Sequence, residues 1–162
     1  MSTEGIERVW ATLESLDLEK ILIIAVISAS PIGEILIAIP IGVVMGIDPF
    51  VSYIIAFPSN MIPAAVILAI LDLFEERYPS ISRYFARRGE GLVRRLGIGG
   101  IKVAIIIVTP IAGVYAISFA TKILGIDKRT SFKYQSIGVA LYGLVEAVLI
   151  SLGLSLPGRF LW

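Results

Sequence analysis

Cysteine and histidine are absent from this 162-residue chain. Disulfide frameworks, thiolate metal sites, cysteine nucleophiles and histidine general bases are excluded with them. A Walker loop and a Gly-x-Ser-x-Gly nucleophile elbow are missing as well. No enzyme activity, cofactor or metal centre is therefore expected, and an aspartyl-type pair of Glu34 and Glu146 is the one catalytic arrangement still conceivable. Charge is scarce too, at 17% of residues against 57% hydrophobic, with a mean hydropathy of +0.90.

What is present is membrane-like. Four apolar runs, 21–45, 50–71, 101–126 and 137–156, each reach the roughly 20 residues needed to cross about 30 Å of hydrocarbon. Almost nothing is left over for a soluble domain, so residues 1–162 read as a single membrane domain. Its parts are an N-terminal segment 3–19, a first half 21–72, a basic linker 73–99 and a second half 100–156.

Residues 3–19 carry too many acids for a signal peptide. Ile6, Val9, Trp10, Leu13 and Leu16 instead form the apolar stripe of an amphipathic surface helix. The linker 73–99 holds Arg77, Arg83, Arg87, Arg88, Arg94 and Arg95, and after Pro79 its apolar residues fall near one helical face. That pattern predicts a basic amphipathic helix on an anionic, cytoplasmic membrane surface. Because these arginines flank apolar residues, binding to nucleic acid is not expected.

The first apolar run is interrupted by Ser30-Pro31-Ile32-Gly33-Glu34. Pro31 removes a backbone donor, Gly33 loosens the next turn, and Pro40 weakens the remainder. The run is either a kinked crossing helix or a re-entrant hairpin, and in both cases protein or water must satisfy the broken backbone. The second run contains Pro58, Pro63 and Asn60, whose amide serves helix packing or a ligand.

The third run repeats the first. Thr109-Pro110-Ile111 follows Ser30-Pro31-Ile32 at an offset of 79, and Gly125-Ile126-Asp127 follows Gly46-Ile47-Asp48 at the same offset. Pro110 and Gly113 would then break the second half as Pro31, Gly33 and Pro40 break the first. Paired breaks at equivalent places in two halves point to a transport site at the repeat interface.

Charge favours hairpins over crossings. If the broken runs return to their own side, only Arg8, Lys20 and Arg159 lie opposite the other basic residues. A unit of one hairpin and one crossing reverses direction, so its repeat is inverted. The expected fold is an all-α integral membrane protein with an internal inverted repeat. Each half is a Pro-broken re-entrant hairpin followed by a transmembrane helix, with amphipathic surface helices added.

Glu34 and Glu146 are acids within apolar sequence, and intramembrane acids are functional candidates by default, often as proton relays. With Asn60 they form the expected substrate or ion pathway, while Arg88, Arg95 and Lys102 are candidates for anionic headgroups.

The pattern Pro31 to Glu34, Ala38-Ile39-Pro40, Gly46, Asn60, a basic loop, Gly97, Thr109-Pro110 and Gly113 resembles the small multidrug export protein family, from about residue 30 to 127. More loosely, Tyr84-Phe85 through Gly89, Arg95, Pro110, and Phe132 through Gly138 to Tyr142 are similar to the DedA family of membrane proteins. That second resemblance implies paired re-entrant hairpins moving a polyprenyl-phosphate or phospholipid with help from protons. It makes Glu34 the acid of the first hairpin and Arg88 or Arg95 its basic counterpart.

The expected function is a secondary transporter of the cell membrane, moving an anionic lipid, polyprenyl-phosphate or amphiphile coupled to protons or a cation. The alternative is a small channel or an accessory subunit without a transport cycle. Expected partners are membrane lipids and, given the small size, a second copy of the chain in a homodimer.

Overall fold

The computed structural model describes residue 7 and residues 17–153, with backbone alone at 81–83, 85–90 and 92–93. The amphipathic helix expected over 3–19 lies mostly outside the described residues. The described residues form helices joined by short turns, with no strand among them. The helices are α1 (Leu18–Ala29), α2 (Glu34–Val44), α3 (Pro49–Arg77), α4 (Pro79–Ile123) and α5 (Lys128–Ser151). Three stretches are long and apolar enough to cross a membrane: Pro49–Arg77, Arg94–Ile123 and Lys128–Ser151.

The helices end where the local chemistry ends them. Pro31 has no N–H to offer the carbonyl of Ile27, four residues back. Ser30 compensates: its Oγ donates to Ile27 O at 2.8 Å and accepts the Gly33 N–H at 2.9 Å. A side chain at Gly33 would strike Ile27 itself, with Cγ2 only 2.7 Å from the Cβ position. So α1 stops, the chain turns in four residues, and α2 packs back against α1. Pro40, expected to break this segment, is absorbed inside α2, as Pro58 and Pro63 are inside α3.

In α4 the backbone leaves helical geometry at Gly97 (φ 67°) and Gly113 (φ 85°). The break thus falls at Gly113, three residues beyond Pro110. Ile101 and Ile105 form a buried cluster with Ile117, and Ile101, Ile105, Val108, Ile117, Ala120 and Leu124 line one small cavity. Ile101 and Leu124 would be roughly 34 Å apart along a straight helix, so the limbs 98–112 and 114–123 lie side by side. The carbonyl of Ile106, which Pro110 leaves without its helical donor, lies against Gly138 of α5, where a Cβ would collide with it.

Both halves reach their following helix through the same turn. Gly46 (φ 81°) and Gly125 (φ 72°) take the left-handed conformation that glycine allows. Ile47 N–H bonds Gly42 O at 2.9 Å, and Ile126 N–H bonds Thr121 O at 2.9 Å. Asp48 Oδ1 then caps α3 by accepting Phe50 N–H at 2.8 Å, and Asp127 Oδ1 caps α5 by accepting Thr130 N–H at 2.9 Å.

The side chain and backbone N–H of Thr130 hold the Asp127 carboxyl below its usual range. A depressed folded-state pKa gives stability that is present above about pH 4 and lost as pH falls through the folded value. Asp127→Ala should cost about 1 kcal/mol at neutral pH and progressively less in acid. A thermal-melting deficit that stays constant with pH would contradict this account of the cap.

The chain divides into two compact units, Met1–Asn60 with Ala140–Trp162, and Met61–Val139. The first holds α1, α2, the start of α3 and the end of α5. The second holds the end of α3, α4 and the start of α5.

Candidate functional site

In the first unit, α1 is tied to α3 by polar side chains. Ser28 Oγ donates to Ala56 O at 2.7 Å, and Asn60 Nδ2 donates to Ser28 O at 2.9 Å. Asn60 is fully buried, and its Oδ1 has no partner. Two turns earlier on α3, Ser52 is fully buried with Oγ also unpaired. It packs on Gly42, where any Cβ would come within 2.9 Å of Ser52 Cβ and Ile24 Cδ1.

Glu146 of α5 is 7% exposed, and its Oε2 is buried without a partner. One turn before it, Gly143 lets α5 settle on the Tyr53 ring and on Ile35, the residue next to Glu34. Tyr53 Oη donates to Ala140 O at 3.2 Å. Glu34 opens α2 at φ 45°, and it is the non-glycine residue with a positive φ among the described residues. In a left-handed conformation an L residue costs roughly 1–2 kcal/mol, and such strain gathers at functional positions. At the equivalent place in the second half stands Gly113, which takes φ 85° without that cost.

The duplication supplies an internal comparison. Ser131 corresponds to Ser52, and it is satisfied: Thr121 Oγ1 lies 2.5 Å from its Oγ, and Gln135 Nε2 donates to that Oγ at 2.8 Å. Ser118 Oγ donates to Gln135 Oε1 at 3.3 Å, completing a buried network in the second unit. At the offset of 79, Thr121 and Gln135 correspond to Gly42 and Ala56, so the first unit has lost both partners of its serine. Asn60 and Glu146 correspond to Val139 and Ile67, which are apolar. Among the described residues the unpaired oxygens are thus confined to the first unit, two from the first half of the duplication and one, of Glu146, from the second.

Of the residues expected to matter, Glu34, Asn60 and Glu146 belong to the first unit, as do Pro31, Gly33 and Pro40. Lys102 and Arg95 belong to the second, with Pro110 and Gly113. Arg95 is exposed, and the Lys102 ammonium lies 5.5 Å from the centre of the Tyr134 ring. The Arg88 side chain is outside what the structure describes.

Sequence reasoning missed Ser52 and an ionic cluster in the second unit. There, Lys122 Nζ pairs with Asp72 Oδ1 and, at 2.7 Å, with Glu75 Oε2, while Lys128 Nζ pairs with Asp72 Oδ2 at 2.7 Å. The cluster borders a cleft of about 480 Å³ that also includes Glu76, Asp127 and Arg129. Its visible signal was Lys122, a charge within an apolar run, and Asp72 with Glu75 one turn apart. Among the described residues no group of three or more Asp or Glu could hold a metal ion.

Residues 34–145 match the sequence profile of a family described as "Putative small multi-drug export protein". The chain belongs to that family. No curated protein and no solved structure matches it. With its apolar helices, membership in the small multi-drug export protein family makes this a multi-pass membrane protein, and the family's description is one of transport rather than catalysis.

Proposed function

We propose that the chain is a secondary transporter exporting an amphiphilic compound in exchange for protons or a cation, with its site in the first unit. The observation that carries the proposal is the set of buried, unpaired oxygens Asn60 Oδ1 and Glu146 Oε2 in the unit that holds the strained Glu34. A buried polar group without a partner costs about 1–3 kcal/mol, and a ligand or proton that completes it recovers that cost.

Asn60 Oδ1 and an ionised Glu146 Oε2 accept hydrogen bonds, and the Ser52 hydroxyl can accept one as well as donate. Lys20, at the start of α1, is the single basic residue among the described residues of that unit. A protonated, cationic amphiphile fits this chemistry better than an anionic lipid does. If the cargo were instead an anionic lipid, Arg95→Gln and Arg88→Gln would abolish transport and Glu146 would be dispensable.

The proposed topology is a pair of re-entrant hairpins in an inverted repeat. Helices α1 and α2 have 12 and 11 residues, roughly 16–18 Å at 1.5 Å per residue, against about 30 Å of hydrocarbon. The bonds from Lys122 and Lys128 to Asp72 support the same reading for the second hairpin. They bring its end and the start of α5 level with the end of α3, which a crossing α4 would not allow. The basic linker 73–99 then lies on the cytoplasmic side.

Exchange measured in proteoliposomes, with a lipophilic ammonium dye and an imposed pH gradient, tests the function. Dye movement that follows the gradient supports it, and substrate-independent current indicates a channel. Topology is tested separately with Arg88→Cys, Arg129→Cys and Leu152→Cys and a membrane-impermeant thiol reagent. The first two should label from one side and the third from the other; labelling of 88 and 129 from opposite sides would replace the hairpin with a crossing.

Glu34→Gly should raise thermal stability by about 1 kcal/mol, since the strained residue becomes the glycine its counterpart already has, while dye exchange falls to background. A lower melting temperature would remove the strain argument, and undiminished exchange would remove Glu34 from the pathway.

A further inference from the structure

Outside that site, the second unit carries a groove of about 290 Å³ lined by Ala65, Leu68 and Ala69 of α3 and by Lys128, Arg129 and Phe132 of α5. Its walls sort by depth. Asp72 is bonded to Lys128 at the end of α3, and from there Ala69, Leu68 and Ala65 run back along α3 while Phe132 lies one turn further along α5. The basic residues are therefore at the mouth and the apolar ones below.

Lys128 is held by Asp72, and Lys122 engages both Asp72 and Glu75. Arg129 is exposed, and among the described residues it makes no salt bridge. Below it, Phe132 is 36% exposed, and Ala65 and Ala69 are small and exposed, so the groove is open along its length.

We propose that this groove binds a membrane phospholipid with an anionic headgroup, one acyl chain lying along Ala65, Ala69 and Phe132 and the phosphate meeting Arg129. A cation at the mouth of an apolar trough matches the two ends of such a lipid, and a guanidinium suits a phosphate through paired N–H donors. A zwitterionic lipid would offer the same chain but no net charge. This proposal does not depend on the transport reading, because the groove shares no residue with Glu34, Asn60 or Glu146.

The test is lipid retention by the intact, detergent-purified protein, read by native mass spectrometry during titration with phosphatidylglycerol or phosphatidylcholine. The wild type should retain phosphatidylglycerol about fivefold better, the worth of one basic residue near an anionic lipid. Arg129→Gln should remove the preference. Ala69→Phe, which fills the trough from an exposed position, should reduce retention of both lipids.

Equal retention of the two lipids by the wild type, or an unchanged preference in Arg129→Gln, overturns the proposal. So does a finding that Ala69→Phe leaves lipid retention intact and dissociates a dimer, since the occupant would then be a second copy of the chain. Should Ala69→Phe fail to fold by circular dichroism, the surface variant Arg129→Gln decides alone.

Discussion

Glu146→Gln should lower proton-driven exchange at least about a hundredfold, the lower end of what a positioned proton-transfer group contributes, while the protein still folds. Glutamine keeps the size and shape of the side chain and removes its exchangeable charge. Glu146 is 7% exposed and its Oε2 has no partner, so glutamine there breaks no hydrogen bond of that oxygen. The loss should appear in coupling: movement of dye down its own gradient can persist, but an imposed pH gradient should no longer drive it. Full proton-driven exchange in this variant would sink the assignment of Glu146 to the pathway. Loss of folding in the variant would show that the acid holds the structure together.

The largest stability effect is expected at Lys122. Its side chain is 11% exposed and reaches two carboxylates, of Asp72 and Glu75, from the second limb of α4. Removing one partner of a buried ion pair costs about 3–5 kcal/mol. Two features reduce the figure here: Glu75 is 45% exposed, so water screens it, and Lys128 still holds Asp72. Lys122→Met should therefore cost roughly 2 kcal/mol, or some 4–8 °C in Tm for a chain of this size.

Lys128, 52% exposed, should lose under about 1 kcal/mol on the same change. Adding Asp72→Asn and Glu75→Gln to Lys122→Met should restore much of the loss, because the uncompensated charges go with them. Equal melting temperatures for the two lysine variants would show that the cluster is solvated and adds little. Failure of the added substitutions to rescue would point to packing of the lysine stem instead.

The features legible from residue order are local ones. Hydropathy identified a membrane chain, because the need to bury apolar side chains from water depends on composition and run length. The Ser-Pro-x-Gly break and the two Gly-Ile-Asp turns were legible because glycine, proline and an N-capping aspartate act within four residues of themselves. The offset of 79 was legible for the same reason, and the two turns share their bonding pattern down to the Ile47 and Ile126 N–H groups.

The remaining features depend on how the helices pack. Pro40 read as a break, yet α2 runs through it. Pro110 and Gly113 both read as the second break, and the backbone leaves the helix at Gly113, which has no Cβ to obstruct it, while Pro110 stays helical. Ser52 and Ser131 are the same residue in the same register, but one hydroxyl is unpaired and the other has two partners. That difference lies in Gly42 and Ala56 against Thr121 and Gln135, and it becomes visible only when the helices carrying them are packed together. Lys122 and Asp72 are likewise 50 residues apart in the chain. Whether a polar group is satisfied depends on neighbours supplied by other helices, and no local pattern encodes it.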